Sequence, residues 1–361
     1  MSSKISERTD KQNLKEVQLF IAGVGAVGGT LMRQLSRLSR HRHDKHLNVI
    51  GFCNSTKVRW RREEVSPEEL YGGKAKQWDE IIENLVDLRK QGKTVIFVDA
   101  TGSREVAELY LKLLDRGIHV VTPSKLANTI DQSYYNSLKQ ASSRNGVRYY
   151  YETTVGAGLP ILQSIENLIE TGDRIIEISG VVSGTMTYLF DELEKGTAFS
   201  KAVVDARSLG YAEPDPRDDL SGEDVARKFM IIARTCGREI EREDVVVESL
   251  IPNCLKEVEP GSFLSLFADY DPEWNDRIRQ EKRRGRTLRY TGRFSDDGIR
   301  VGIEPVAMES AIGRLTGTNN LIQIQTERYF DQPLVIQGPG AGKEVTAAGL
   351  LADIQKILNE Q

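Results

Sequence analysis

Val17-Gln18-Leu19-Phe20-Ile21-Ala22 followed at once by Gly23-Val24-Gly25-Ala26-Val27-Gly28 constrains the fold more than any other stretch of the chain. A short apolar run stops at a glycine, and from Ala26 to about Leu38 the pattern turns helical, with Val27, Leu31 and Leu35 on one face. This spacing predicts a strand, a tight turn and a helix. Further strand patterns at Leu47 to Cys53, Thr94 to Asp99, Ile118 to Thr122 and Val147 to Glu152 alternate with helical stretches near Trp78 to Arg89, Arg104 to Arg116 and Asp131 to Arg144. Strands separated by helices pair in parallel, and the helices then cover both faces of the sheet. The expectation is an α/β chain whose first part is a doubly wound Rossmann nucleotide-binding domain.

With 31 glycines in 361 residues, chance alone supplies about 0.2 matches to GxGxxG, so the pattern gains its weight from the surrounding strand and helix. In that setting Gly23, Gly25, Ala26, Val27 and Gly28 let a pyrophosphate approach the helix N-terminus. The alternative is a glycine turn that serves only tight packing. The second strand continues as Asn54-Ser55-Thr56-Lys57-Val58-Arg59, without the acid that would bind a free ribose 2′-hydroxyl. Asn54, Ser55, Lys57 and Arg59 instead suit a 2′-phosphate, which favours NADP while leaving NAD possible; a solvent-facing basic loop is the alternative. Asp99-Ala100-Thr101-Gly102-Ser103 and Thr122-Pro123-Ser124-Lys125 each follow a predicted strand. Thr101, Ser103 and Lys125 therefore belong at the carboxyl edge where such sheets bind ligands, although a lysine in a loop also reads as a solvated charge.

The chain is too long for one ordinary core, and 39% hydrophobic with 28% charged residues is a soluble, globular composition. A net charge of -4 provides no basic field for nucleic acid. The runs at Trp60-Arg61-Arg62 and Lys282-Arg283-Arg284-Gly285-Arg286 read as solvated faces. Cys53, Cys236 and Cys254 lack zinc or disulfide spacing and read as reduced thiols of a cytoplasmic protein. No apolar run is long enough to span a bilayer, so no membrane association is expected. The polar start, residues 1–14, is expected to be a disordered leader, an expression remnant or the stub of a linker.

After residues 15–152 the rhythm changes. A helix opens near Pro160, a strand pattern covers Ile175 to Val182, and helices follow near Thr187 to Glu194, Ser200 to Leu209 and Ser221 to Thr235. Alternating runs at Arg286 to Arg293, Ile299 to Met308, Leu321 to Tyr329 and Pro333 to Ile336 predict antiparallel strands, so residues 153–336 are expected to form an α+β catalytic and dimerisation domain. The remainder, 337–361, holds a second glycine loop and a helix over Lys343 to Leu358.

Two segments of this second part carry chemistry. Glu213-Pro214-Asp215-Pro216-Arg217-Asp218-Asp219-Leu220-Ser221-Gly222-Glu223-Asp224 crowds acids around two prolines, and Ser221 with Asp224 fits a capping box. A helix starting at Ser221 would carry Asp224 and Lys228 on one face, and carboxylates held near cations suit a substrate with an ammonium group. The second segment, Glu152-Thr153-Thr154-Val155-Gly156-Ala157-Gly158-Leu159-Pro160, joins a lone carboxylate to exposed carbonyls. It reads either as a monovalent cation site or as a glycine hinge.

The turn GVGAVG, PSKLAN around Lys125, ETTVGAGLP, SGTMTYLF from Ser183, LGYAEPDPRDDLSGEDVARK and GPGAGKEVTAAG together resemble homoserine dehydrogenase from about Val17 to Leu358. The terminal segment is most similar to the dehydrogenase half of aspartokinase and homoserine dehydrogenase fusions. No segment resembles the kinase half or its ACT domain, so a stand-alone enzyme and an excised half both stay open. The resemblance implies reversible NAD(P)-dependent reduction of L-aspartate 4-semialdehyde to L-homoserine, on the route to threonine, methionine and isoleucine. It implies Lys228 as the catalytic lysine, Asp224 as its partner and Lys125 as a second lysine at the nicotinamide. Glu213 and Asp219, with Thr185 and Tyr211, fall where the substrate is held, and Gly340 joins the cofactor residues. Glu152 with the main-chain oxygens of Val155, Ala157 and Leu159 matches a sodium or potassium site. A homodimer, with the last helix returning to the nucleotide-binding domain, is also implied.

Overall fold

The computed structural model describes residues 16–42, 47–60 and 73–360; the polar leader and Arg61-Arg62 lie outside them. The first sheet starts from β1 (Val17–Ala22), α1 (Ala26–Arg42) and β2 (Leu47–Cys53). A short excursion, β3 (Lys57–Trp60) and β4 (Lys74–Ala75), precedes α2 (Trp78–Lys90) and β5 (Thr94–Asp99). Then come α3 (Arg104–Glu108), α4 (Tyr110–Leu114), β6 (His119–Val121), α5 (Gln132–Asn145) and β7 (Tyr149–Tyr150). Strand order is β4-β3-β2-β1-β5-β6-β7. β2, β1, β5, β6 and β7 run parallel, as the alternation predicts.

Two expectations need correction here. The single helix over Arg104 to Arg116 is broken at Leu109 into α3 and α4. The segment after β2 is no open loop: β3 turns back antiparallel on β2, pairing Arg59 with Phe52, so Lys57 and Arg59 are strand residues. Asn54 makes that reversal, its Oδ1 accepting the N–H groups of Thr56 at 2.9 Å and Lys57 at 2.7 Å.

The second sheet gathers elements far apart in sequence. After α6 (Ile161–Glu170) come β8 (Ile175–Val181), α7 (Gly184–Lys195), α8 (Phe199–Ser208), α9 (Arg217–Leu220) and α10 (Glu223–Thr235). β9 (Val245–Val247), α11 (Pro260–Phe267) and α12 (Asp271–Arg283) precede β10 (Arg286–Ser295), β11 (Gly298–Ala307), β12 (Asn319–Thr326), β13 (Leu334–Pro339) and α13 (Lys343–Asn359). The order is β13-β12-β8-β10-β11-β9, antiparallel except for β9 on β11. Buried aromatics such as Phe190, Phe199, Phe229 and Trp274 fill the space between this sheet and its helices. α13 crosses back to the first sheet, where Ala347, Leu350, Ile354 and Ile357 join Val17, Leu19, Leu31 and Leu35 in one core. No helix of the described residues is long and apolar enough to cross a membrane.

Candidate active site

Register aligns the carboxyl ends of three strands, since Ala22 faces both Cys53 and Asp99. The loops that follow therefore lie side by side, beginning at Gly23, Asn54 and Ala100. Gly23 takes a left-handed φ of +89°, and a Cβ there would stand 2.7 Å from the Ala100 oxygen, so only glycine fits. Gly28 is equally excluded from substitution by the Gly23 oxygen. Gly25 differs: a Cβ on it would meet nothing within 4 Å, so its bare backbone opens onto the space before α1. An anion reaching the N-terminus of α1, where Ala26 and Val27 begin the helix, finds that approach clear.

The neighbouring loop is stiffened from below. Asp99 is buried, and its carboxylate accepts the Thr101 N–H at 2.7 Å, the Thr101 hydroxyl at 2.6 Å and the Tyr110 hydroxyl. Burial pushes the Asp99 carboxyl up, and these donors oppose the shift. Tyr110 also stands 2.9 Å from the Thr122 hydroxyl, so one buried phenol braces the loops after β5 and β6 together. Thr101 turns its hydroxyl inward to Asp99, and the same oxygen accepts the Ser103 N–H. Lys76 carries no sequence signal. Its side chain keeps only 12% exposure and lies 4.3 Å over the Trp78 ring, while its N–H bonds Thr56 beside the exposed Ser55.

Lys125, just after β6, meets α10 of the second sheet's unit. Its Nζ lies 3.3 Å from Asp224 Oδ1, and Lys228 Nζ lies 2.7 Å from Asp224 Oδ2. Lys228 also donates to the Val182 carbonyl at 2.7 Å, an anchor at the end of β8 that a main-chain atom supplies and no side-chain pattern reveals. Burial works against the Asp224 anion, yet the ammonium groups of Lys228 and then Lys125 hold its carboxyl well below the usual carboxylate range. Burial lowers Lys125, with Asp224 opposing and Lys228 adding to the shift. Lys228 is 12% exposed against 29% for Lys125, so both retain contact with solvent.

The four residues expected at the substrate are also drawn together. Thr185, in the first turn of α7, donates to the Tyr211 carbonyl at 2.5 Å, and Asp219 Oδ2 accepts the Glu213 N–H at 2.8 Å. Burial raises the Asp219 carboxyl, partly offset by that N–H and the Thr185 hydroxyl. The acidic run as a whole is less uniform than its composition suggests. Asp215 is locked by Arg217, whose guanidinium also donates to the Lys256 and Val258 carbonyls, and Glu223 pairs with Arg242. The expected capping box does not form. Ser221 closes α9, donating to the Asp218 carbonyl, and Gly222 in a left-handed conformation starts α10.

Glu152 is not the lone carboxylate of the sequence reading, because Asp353 lies close enough to act on it. The two Glu152 oxygens accept the N–H groups of Leu162 and Gln163 at 2.8 Å each, capping α6. Val155 and Ala157 are buried, Leu159 is half-buried, and Ala157 sits at a left-handed φ of 53°. Burial, and secondarily the Asp353 carboxylate, push Glu152 up to about 7 against those N–H groups. Asp353 Oδ2 is itself buried without a hydrogen-bond partner. Gly340 lies between β13 and α13.

Residues 23–152 match the family model "Homoserine dehydrogenase, NAD binding domain", and residues 160–355 match "Homoserine dehydrogenase". A bifunctional aspartokinase/homoserine dehydrogenase of Haemophilus influenzae is 36% identical over 96% of the chain, which spans 43% of that protein. A homoserine dehydrogenase of Paracoccidioides brasiliensis is 36% identical over 95% of the chain and 98% of its own length. A crystal structure of a Candida auris protein of unknown function superimposes with a TM-score of 0.87 at 33% identity, covering 96% of this chain and 99% of that one. Matched in both its nucleotide-binding and its catalytic part, and along nearly its whole length by a fungal relative, the chain belongs to the homoserine dehydrogenase family.

Proposed function

We propose that the protein catalyses the reversible NAD(P)-dependent reduction of L-aspartate 4-semialdehyde to L-homoserine. The observation that carries this reading is the Asp224 carboxylate bridging Lys125 and Lys228, at the edge where the first sheet's loops meet α10. The open backbone at Gly25 and the helix N-terminus behind it fit a dinucleotide pyrophosphate. Asn54, Ser55, Lys57, Arg59 and the newly placed Lys76 surround the turn after β2 and favour a 2′-phosphate, hence NADP over NAD. When bound, the nicotinamide donates or accepts hydride.

The chain's own residues handle the remaining charge. As negative charge grows on the aldehyde oxygen, the Lys228 ammonium stabilises it and donates the proton. Asp224 orients that ammonium, and Lys125 adds a second positive charge beside the reacting carbon. Glu213 and Asp219 hold the substrate's ammonium group, with Thr185 and Tyr211 shaping the same wall. In the oxidising direction the Lys228 amine takes the hydroxyl proton as hydride leaves for the cofactor. Glu152, with the carbonyls of Val155, Ala157 and Leu159, holds a sodium or potassium ion; Asp353 beside it is paired with Lys356 at 2.9 Å and adds no surplus charge. Residues 15–152 act as the nucleotide domain and 153–336 as the catalytic and dimerisation domain of a homodimer. An aspartokinase half joins the chain if it is part of a fusion.

Turnover of homoserine with NADP and, separately, NAD tests the reading by absorbance of the reduced cofactor. Lys228→Ala is expected to lower turnover by at least about a hundredfold while far-ultraviolet circular dichroism stays that of the parent. Near-parental turnover removes Lys228 from its role. A catalytic efficiency with NADPH no greater than with NADH overturns the cofactor preference.

A further inference from the structure

Asn320, near the start of β12, is 1% exposed, and neither its Nδ2 nor its Oδ1 has a hydrogen-bond partner. A primary amide offers two donor hydrogens and an accepting oxygen, and burying all of them unpaired costs free energy that an apolar residue would not. Such a side chain calls for a partner that this chain does not supply, an ordered water or a group of a bound ligand.

Its surroundings say where that partner lies. In the antiparallel ladder Leu321 faces Val181, so Asn320 stands beside the next residue, Val182, whose carbonyl anchors Lys228. On its other side Asn320 faces Gly338, and a Cβ built on Gly340 would fall 1.8 Å from Asn320 Nδ2. Asn320 therefore sits beside the lysine's anchor on β12, with its amide against the glycine loop that leads into α13. Glu213 and Asp219 already offer charge to an ammonium group, whereas a neutral amide with donor and acceptor together matches another amide, two parallel N–H to O bonds forming one complementary pair.

We propose that Asn320 orients the cofactor by pairing with the nicotinamide carboxamide. The assignment rests on the dehydrogenase reading of this site and involves no covalent step. It makes β12, a strand of the second sheet, part of the cofactor site, and it explains why the loop beside it needs glycine at 340.

Binding to the full chain distinguishes this role from a structural one. Calorimetric titration would compare NADPH, 2′-phospho-ADP-ribose, which lacks the nicotinamide, and the 3-acetylpyridine dinucleotide, in which methyl replaces the carboxamide nitrogen. In Asn320→Ala the affinity for NADPH is expected to fall about tenfold, the scale of one buried hydrogen-bonded pair. Affinity for 2′-phospho-ADP-ribose should be unchanged, and the preference of the parent for NADPH over the acetylpyridine analogue should vanish. Equal weakening of all three ligands, or no weakening of NADPH, overturns the assignment. Should the variant fail to fold, Asn320→Ser and the parent's own discrimination remain: a parent that binds the analogue as well as NADPH also overturns it. A parent that binds no dinucleotide and oxidises no homoserine sinks the dehydrogenase reading instead.

Discussion

A carboxylate shared by two lysines can orient both but neutralise only one. Asp224, 2.7 Å from Lys228 and 3.3 Å from Lys125, sets one carboxylate against two ammonium groups, the arrangement that the proposed stabilisation of a developing alkoxide would use. A second titratable residue, remote from this chemistry, gives a test of the fold itself. His119 on β6 is buried, and its Nδ1 accepts the Arg148 N–H at 3.0 Å. Burial, then the charges of Arg89 and Arg148, hold its imidazole down to about 4 from 6.5, with Glu360 opposing. Below pH 6.5 the unfolded chain binds a proton that the folded chain refuses, so this residue lowers stability progressively as pH falls toward 4. Between pH 7 and 5 the loss from His119 is about 2 kcal/mol. His119→Asn keeps an acceptor for Arg148 without titrating, so urea denaturation of the variant should show a shallower loss on acidification. Parallel stability curves for parent and variant would rule out His119 as the source.

At the scale of elements, the start of α10 decides where Lys228 points. Gly222 holds a φ of +78°, and a Cβ there would fall 1.9 Å from the Tyr290 hydroxyl of β10. Gly222→Ala is expected to cost more than the ~1 kcal/mol usual for a left-handed alanine, because the helix must also move off Tyr290, and turnover should fall with stability. Adding Tyr290→Phe removes the obstructing oxygen and should restore part of both in denaturation and turnover assays; no recovery would place the damage elsewhere. The sequence shows the glycine but not its contact with Tyr290, 68 positions away, so Ser221 took the role of cap on local pattern alone. The same limit hid the partition of the acids, because Asp215 and Glu223 are assigned by Arg217 bound to Val258 and by Arg242. By contrast β1, β5 and β6 were legible: both faces of a parallel strand are buried, so each reads as a mostly apolar run, broken by Gln18 in β1 and flanked by Thr94, Asp99 and His119 in the others. β4, an exposed pair of residues at the sheet's edge, leaves no such trace.

For the whole molecule, the sheet order explains what the chemistry needs from one chain and what it leaves to assembly. Lys125, Asp224 and Lys228 all come from one chain, and α13 ties the second sheet back to the first. The second sheet nevertheless ends in an open strand. Among the described residues β13 pairs with β12 alone, with Val335 41% exposed and Tyr329 and Phe330 protruding just before it. A regular edge of this length is a template for another strand, and a two-fold axis beside it would join two copies into one continuous sheet. The parent should therefore elute from size exclusion with light scattering at twice the chain mass of 40.5 kDa. Val335→Lys places like charges across that axis and should shift the protein to the single-chain mass. Because the lysine cluster is complete within one chain, homoserine turnover should persist in the monomer. An unchanged dimer would move the interface off β13, and a monomer without turnover would mean that the partner completes the site.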